Sequence, residues 1–153
     1  MKIEQIAFGA KDPHSVIEQY KLLGIDEWVG DVVIAKGTVN KTVGENCAEL
    51  YFNYQLGFEL EILRYQYGPN WHQDRNPNNL DVFPSHQGLH VDETEMWMWR
   101  EKMNRLGIDI IQEVYTQSHT NPVIAGKRRY QYVIFNSLDK LGFDLKLIRR
   151  INL

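Results

Sequence analysis

Apolar and polar residues alternate along this chain at two different periods, and the same succession of periods occurs twice. Residues 3–10 form a short apolar run, the length of a strand and too short for a helix. Asp12 followed by Pro13 reads as a helix N-cap with proline at the first helical position, where its missing N–H costs nothing. Val16, Ile17, Tyr20 and Leu23 then fall at helical spacing, and Gly24 stands where a left-handed stop is needed. Three stretches of strand composition follow, at 32–35, 48–54 and 58–64, the last two joined by a tight turn at Gln55-Leu56-Gly57. The pattern then restarts. An apolar run at 87–91 leads to the acidic Glu93, and Met96, Trp99, Met103 and Leu106 line one helical face before Gly107. Strand-like stretches at 110–115, 130–136 and 143–149 complete the series, with 137–142 as the last turn. Trp97 lies off the second helical stripe and reads either as an exposed aromatic suited to a subunit contact or as a half-buried surface tryptophan.

The letters repeat as well as the pattern. "GFELEILR" at 57–64 returns 85 positions later as "GFDLKLIR" at 142–149, and "LGID" at 23–26 returns 83 positions later at 106–109. Upstream, Gln5-Ile6-Ala7-Phe8 leading to Asp12 parallels His86-Gln87-Gly88-Leu89 leading to Glu93, an offset of 81. Offsets that grow slowly are what small loop insertions between two copies produce. The expected architecture is α+β: a single domain over 1–153, made of a βαβββ module at 1–66 and a second at 84–150, joined by a long loop at 67–83. Two such modules pair into a half-open curved sheet or barrel around a cleft, burying faces that neither could bury alone.

Size and charge narrow the function. With 153 residues and 43% apolar content the chain can bury one core. Its net charge of -3 is spread along the sequence, without the basic footprint of a nucleic-acid binder. No apolar run approaches a membrane span, and Glu4, Lys11 and Asp12 interrupt any signal-peptide pattern, so a cytoplasmic protein without membrane partners is expected. The lone Cys47 excludes an internal disulfide and reads as a small buried filler. Neither a hydrolase triad order nor a phosphate-cradling glycine loop is present in the sequence.

The module openings "QIAFGAKD" and "HQGLHVDE", the closings "GFELEILR" and "GFDLKLIR", and their doubling resemble the vicinal oxygen chelate superfamily, which includes glyoxalase I, extradiol dioxygenases, methylmalonyl-CoA epimerase and bleomycin-resistance proteins. The resemblance covers nearly the whole chain. It implies a homodimer and a small-molecule ligand. It also implies a divalent metal (zinc, nickel, manganese or iron) held by one residue from the first and one from the last strand of each module. Carried over position by position, those places are Gln5, Glu61, His86 and Lys146. The first three are familiar metal ligands in glyoxalase-like enzymes, but the fourth place is usually a glutamate that also handles the proton.

Strand alternation puts Gln5, Ala7 and Gly9 on one face, and does the same for Glu59 with Glu61, His86 with His90, and Asp144 with Lys146. Small Ala7, Gly9 and Gly88 would leave room for a ligand. An ammonium about 4 Å from a divalent ion is repelled by roughly 8 kcal/mol at an effective dielectric of about 20. Deprotonating the lysine from its reference pKa of ~10.4 costs about 4.6 kcal/mol at pH 7. The resulting expectation is a pocket without a metal cofactor, in which Lys146 is the built-in cation paired with Glu61 and helped by Gln5 and His86. It would bind a small anion or a carbonyl oxygen, and Glu61 and Lys146 would be the catalytic pair if it is an enzyme.

Two alternatives stand beside that reading. Gln5, Glu61 and His86 form a three-ligand metal site in a lyase, isomerase or dioxygenase, with Lys146 as proton shuttle; or the fold is a scaffold with a structural ion pair. His90, about 13 Å along the strand from His86 and so unable to share one metal with it, reads as a strand-end histidine near solvent, with the pocket mouth as the alternative. Tyr51, Asn53 and Tyr132 are candidates for shaping the pocket from inner strands. Trp71, His72, Asp74 and Arg75 in the long loop are candidates for closing over a ligand, as is the segment 118–129.

Overall fold

A computed structural model describes residues 2–153. Its elements follow the expected order: β1 Gln5–Ala10, α1 Pro13–Leu22, β2 Val29–Val39, β3 Thr42–Asn53, β4 Glu59–Tyr67, β5 Val82–His90, α2 Glu93–Arg105, β6 Ile110–Ser118, β7 Arg128–Phe135, α3 Leu138–Leu141 and β8 Leu145–Asn152. The succession β-α-β-β-β thus runs twice, with a 3-10 turn at Trp71–Asp74 between the two runs and the one-turn α3 where the sequence suggested only a turn. Asp12 caps α1 and Pro13 opens it, as its sequence requires. At α2 the cap is Asp92, one residue before Glu93, because Glu95 three positions on returns a hydrogen bond and completes a capping box.

The strands are longer than their apolar letters suggest, and the extra length closes the sheet. Going round, the order is β1-β4-β3-β2-β6-β7-β8-β5, and β5 pairs back onto β1. This is a closed barrel, not the half-open one expected. The difference comes from two seams: β2 against β6 from Val33↔Ser118 to Val39↔Gln112, and β1 against β5. Closing removes the unpaired edges that a half-open sheet would expose. The β2–β3 hairpin turns on Asn40 and Lys41, both at positive φ (49° and 67°). A lysine in that conformation carries no turn signature, so the pattern of letters passed over it.

The core has two compartments. Outside the barrel, Met96 and Met103 of α2 pack on Leu89, Val133, Phe135, Leu145 and Leu147. Inside, Ala7, Val33, Ala48, Leu50 and Leu63 form one cluster and Trp71, Ile111 and Ile134 a second. The α1 stripe ends earlier than expected. Leu23 is 76% exposed because it is the cap residue, with the chain already turning into Gly24 at φ +82°. Leu106 is likewise exposed at the end of α2. Trp97 is 64% exposed, with Arg100 over its ring at 5.1 Å.

Candidate functional site

The four singled-out side chains come from four neighbouring strands, β4-β1-β5-β8, and register decides how they meet. On β1, Ala7 is opposite both Glu61 of β4 and His86 of β5. Residues directly opposite point to the same side of a sheet, and a methyl between two long side chains lets them reach each other. His86 Nε2 is accordingly 3.3 Å from Glu61 Oε1. Gly88 is opposite both Gln5 and Lys146, and a β-carbon there would sit only 3.0 Å from Gln5 Oε1. That glycine's space is used by the Gln5 amide. The space at Gly9 is filled too, because a β-carbon there would run into the Phe83 ring. These two glycines accommodate protein side chains, contrary to the expectation that they leave room for a ligand.

Hydrogen bonding fixes the state of His86. Its Nε2 is 2.7 Å from Gln5 Oε1, and its Nδ1 is 2.8 Å from Ser85 Oγ, which is in turn 2.7 Å from His72 Nε2. With Gln5 presenting its oxygen, the network assigns the His86 proton to Nε2, donating to Gln5. Ser85 then donates to His86 Nδ1 and accepts from His72. With the His86 pKa lowered and the ring neutral at pH 7, the short His86–Glu61 approach is not an ion pair. Burial, reinforced by the Lys146 charge, pulls the His86 pKa below its usual value and keeps the ring neutral, although Glu61 pulls the other way.

Glu61 is fully buried, and neither of its oxygens has a hydrogen-bond partner among the described residues. Its charge is balanced across space instead. Lys146 Nζ lies 3.9 Å from Oε1 and 3.8 Å over the centre of the Tyr132 ring, with the lysine 4% exposed. Burial alone would push the Glu61 carboxyl up. The Lys146 charge together with His86 outweighs it and holds the group below the usual carboxylate range. Burial lowers the Lys146 pKa, offset in part by Glu61 and Glu59.

The donor set can be weighed against a divalent ion. Gln5 Oε1, His86 Nε2 and Glu61 Oε1 are separated by 2.7 and 3.3 Å, as ligands of one ion are, and an ion would give Glu61 the partner it lacks. An ion about 2 Å from that oxygen would, however, stand no more than about 6 Å from Lys146 Nζ, a repulsion of about 5 kcal/mol or more at an effective dielectric of 20. The position where a fourth ligand would close the set already holds a cation. These residues do not fit a resident divalent ion.

Above the cluster the barrel opens into a cavity of about 440 Å³, lined in part by Gln5, Phe52, Tyr54, Glu59, His90 and Tyr132. Most of its wall is apolar or aromatic. His90 Nε2 is 2.9 Å from Glu59 Oε2, and that hydrogen bond raises the His90 pKa. Asn121 and Arg128 bring the segment 118–129 to the rim. Asp31 pins that segment down by accepting from Ser118 Oγ at 2.8 Å, Asn121 N at 3.1 Å and Thr120 N at 3.3 Å.

Tyr51 does not line this space. Phe52 is opposite the inward-facing Glu61, so the neighbouring Tyr51 points out of the barrel, where its hydroxyl meets His14 of α1 at 3.3 Å. Asn53 shares that outer face and bonds Gln55. Asp144 is not on the cavity either. It caps α3 through Ser137 N and Leu138 N and holds Arg75 Nε at 2.6 Å.

The inter-module segment enters the barrel from the opposite end. Trp71 is 1% exposed; its indole N–H donates to Tyr65 Oη at 3.2 Å, and its ring lies 5.9 Å from that of His86. Rather than closing over a ligand from outside, this part of the loop forms the floor beneath the charge cluster. Glu59, Ser85 and Phe52 went unnoticed as site residues. Glu59 and Ser85 were within reach, two positions and one position from Glu61 and His86, whereas Phe52 required the pairing of β3 with β4.

His72 gives the floor a pH dependence. Burial, with the neighbouring His86, lowers its pKa from 6.5 to about 3. Between about pH 6.5 and 3 the unfolded chain takes a proton there that the folded one refuses, so folding stability falls as pH falls through that window. In His72→Gln this part of the slope should vanish. Urea midpoints measured at pH 7, 5.5 and 4 would keep a constant separation from those of the wild type only if His72 carries no such effect.

Comparison with known proteins places the fold. No family model and no curated protein matches the sequence. Solved structures do. A hypothetical protein, BH1468, from Bacillus halodurans C-125 superposes with a TM-score of 0.59 at 12% identity, covering 99% of this chain and 96% of that one. A mutant of 4-hydroxymandelate synthase from Streptomyces coelicolor gives 0.60 at 9% identity over 99% of this chain, which spans 49% of the synthase's length. Methylmalonyl-CoA epimerase from Mycobacterium tuberculosis gives 0.53 at 11% identity, covering 96% and 86% of the two chains. The synthase and the epimerase are vicinal oxygen chelate proteins. At these identities the likeness shows the fold alone: this chain has the same overall architecture as these structures.

Proposed function

We propose that this chain binds a small molecule inside its barrel and uses Lys146, in place of a metal ion, as the fixed positive charge facing the ligand's oxygen. The observation that carries the reading is the position of the amine, buried over Tyr132 and 3.9 Å from Glu61, at the place where the superfamily resemblance puts the fourth metal ligand. The 440 Å³ cavity above it falls in the range of small-molecule sites. Its aromatic and aliphatic walls suit an apolar body, while Gln5, Glu59 and His90 supply the few polar contacts that orient a ligand. A carbonyl or carboxylate oxygen is the group that an ammonium beside a glutamate and a neutral histidine would recognise. If the site is catalytic, Glu61 and Lys146 are the proton-handling pair.

Metal analysis of the purified chain should return well under one equivalent of zinc, nickel, manganese or iron, and a chelator should leave both stability and ligand binding unchanged. A full bound equivalent, or binding lost on chelation, would restore the three-ligand metal reading. A thermal-shift screen with small aromatic and branched carboxylates, aldehydes and ketones should find stabilising ligands. A chain that no member of the panel stabilises is behaving as a scaffold.

A further inference from the structure

Among the described residues, nothing accepts a hydrogen bond from the Lys146 amine, whereas the exposed Lys140 and Lys11 both donate to backbone carbonyls. An ammonium has three donors, and at 4% exposure the lysine has little solvent in which to use them. Lys146 also lines a cavity of about 30 Å³ together with His86, Tyr132, Trp71 and Gln112. That is the space of about one water molecule or one carbonyl group. Val33, Leu50, Thr116 and Tyr132 line both this small cavity and the 440 Å³ one, so the two adjoin and the amine lies in the inner one, behind their shared wall.

We propose that Lys146 captures small aldehydes covalently: the amine attacks a carbonyl carbon placed in the inner cavity while the ligand's apolar or aromatic body fills the outer one. This rests on the barrel cavity being a ligand site. The chemistry needs no oxidant. The neutral amine adds to the carbonyl carbon, forming a C–N bond and a carbinolamine. Glu61, 3.9 Å away, takes the proton the ammonium gives up and delivers it to the alkoxide oxygen of the adduct, then takes a second proton from nitrogen and passes it to the resulting hydroxyl. Water leaves with that oxygen, breaking the C–O bond and giving a protonated imine. Starting from the ammonium, the balance is one aldehyde in and one water out, with the positive charge kept on nitrogen. The iminium then faces the same Glu61 carboxylate and the same Tyr132 ring that the ammonium faced. Burial, which lowers the lysine's pKa, enlarges the reactive neutral fraction relative to surface lysines.

The test is reductive trapping. The full-length chain is mixed at neutral pH with benzaldehyde and sodium cyanoborohydride, then analysed by intact mass and peptide mapping, with thermal shift by benzaldehyde alone measured in parallel. The expected result is one benzyl group per chain, located on Lys146, at concentrations that leave surface lysines unmodified. Lys146→Arg should show no such adduct, and Glu61→Gln should form it at least about a hundredfold more slowly, the low side of a general acid–base effect. Mapping the wild type answers the question even if a variant fails to fold. Stabilisation by benzaldehyde without an adduct at Lys146 overturns covalent capture and leaves the pocket reading standing. Neither stabilisation nor adduct overturns both, and modification spread evenly over surface lysines overturns the capture.

Discussion

Replacing Lys146 with methionine should cost about 3–5 kcal/mol of folding stability at neutral pH, the range for removing one partner of a buried ion pair. Methionine matches the lysine stem in length, so little cavity forms, and the loss is electrostatic. Glu61 has no hydrogen bond of its own to fall back on. The adjacent His86 is neutral and committed to Gln5. The signature is the combination of variants: Glu61→Gln in the methionine background removes the stranded charge and should recover much of the loss, giving a coupling energy in a double-mutant cycle measured by urea unfolding. The pH dependence carries a sign as well. Lys146 is the main influence lowering the Glu61 pKa. Without it the carboxyl titrates above its unfolded value, the folded state binds more protons, and the variant's deficit should shrink as pH falls toward 5. A methionine variant as stable as the wild type at pH 7 would show that the pair is not the electrostatic centre of the barrel.

Removing the Trp71 side chain should be about as costly. Trp71→Ala deletes the largest fully buried side chain of the inner core and should lower stability by about 3–5 kcal/mol, as large-to-small core substitutions of aromatics do. It also removes one of the two hydrogen bonds the Tyr65 hydroxyl accepts, the one from the indole at 3.2 Å, leaving that from Gln112 at 3.1 Å. Trp71→Phe keeps most of the packing and loses that N–H, so its cost should be smaller, about 1–3 kcal/mol. Both are read from denaturation midpoints. If alanine costs under about 1 kcal/mol, the segment between the two runs is not the floor of the barrel but a loosely held cover.

Much of this organisation was legible in the letters. The caps at Asp12, the stops at Gly24 and Gly107, and the turn at Gly57 each depend on the backbone of a few consecutive residues, and each is found where its residue type demands. The repeat offsets paired Gln5 with His86 and Glu61 with Lys146, and the folded chain brings those four into one cluster. The repeat aligns Glu93 with Asp12, but two acids stand side by side there, and the reciprocal bond of Glu95 makes Asp92 the α2 cap.

Other features were beyond the letters because they are set by partners far away in sequence. Tyr51 and Phe52 are both aromatic, and nothing local says which faces inward; the pairing of Phe52 with Glu61 decides it. The emptiness suggested by Gly9 is filled by Phe83, more than seventy positions on. Closure of the barrel rests on the Val33–Ser118 seam, between strands that no turn connects.

By itself, then, the sequence determined the order of elements, their terminating residues and the charge reversal that places an amine among candidate ligands, since these follow from short-range backbone chemistry and an internal repeat. Tertiary structure decided which residues share an interior, that Trp71 enters from below, and that the Lys146 amine stands buried over an aromatic ring beside an unbonded carboxylate. The physical reason is that side-chain direction in a strand flips with every residue, so an interior is specified only once distant strands have fixed their register.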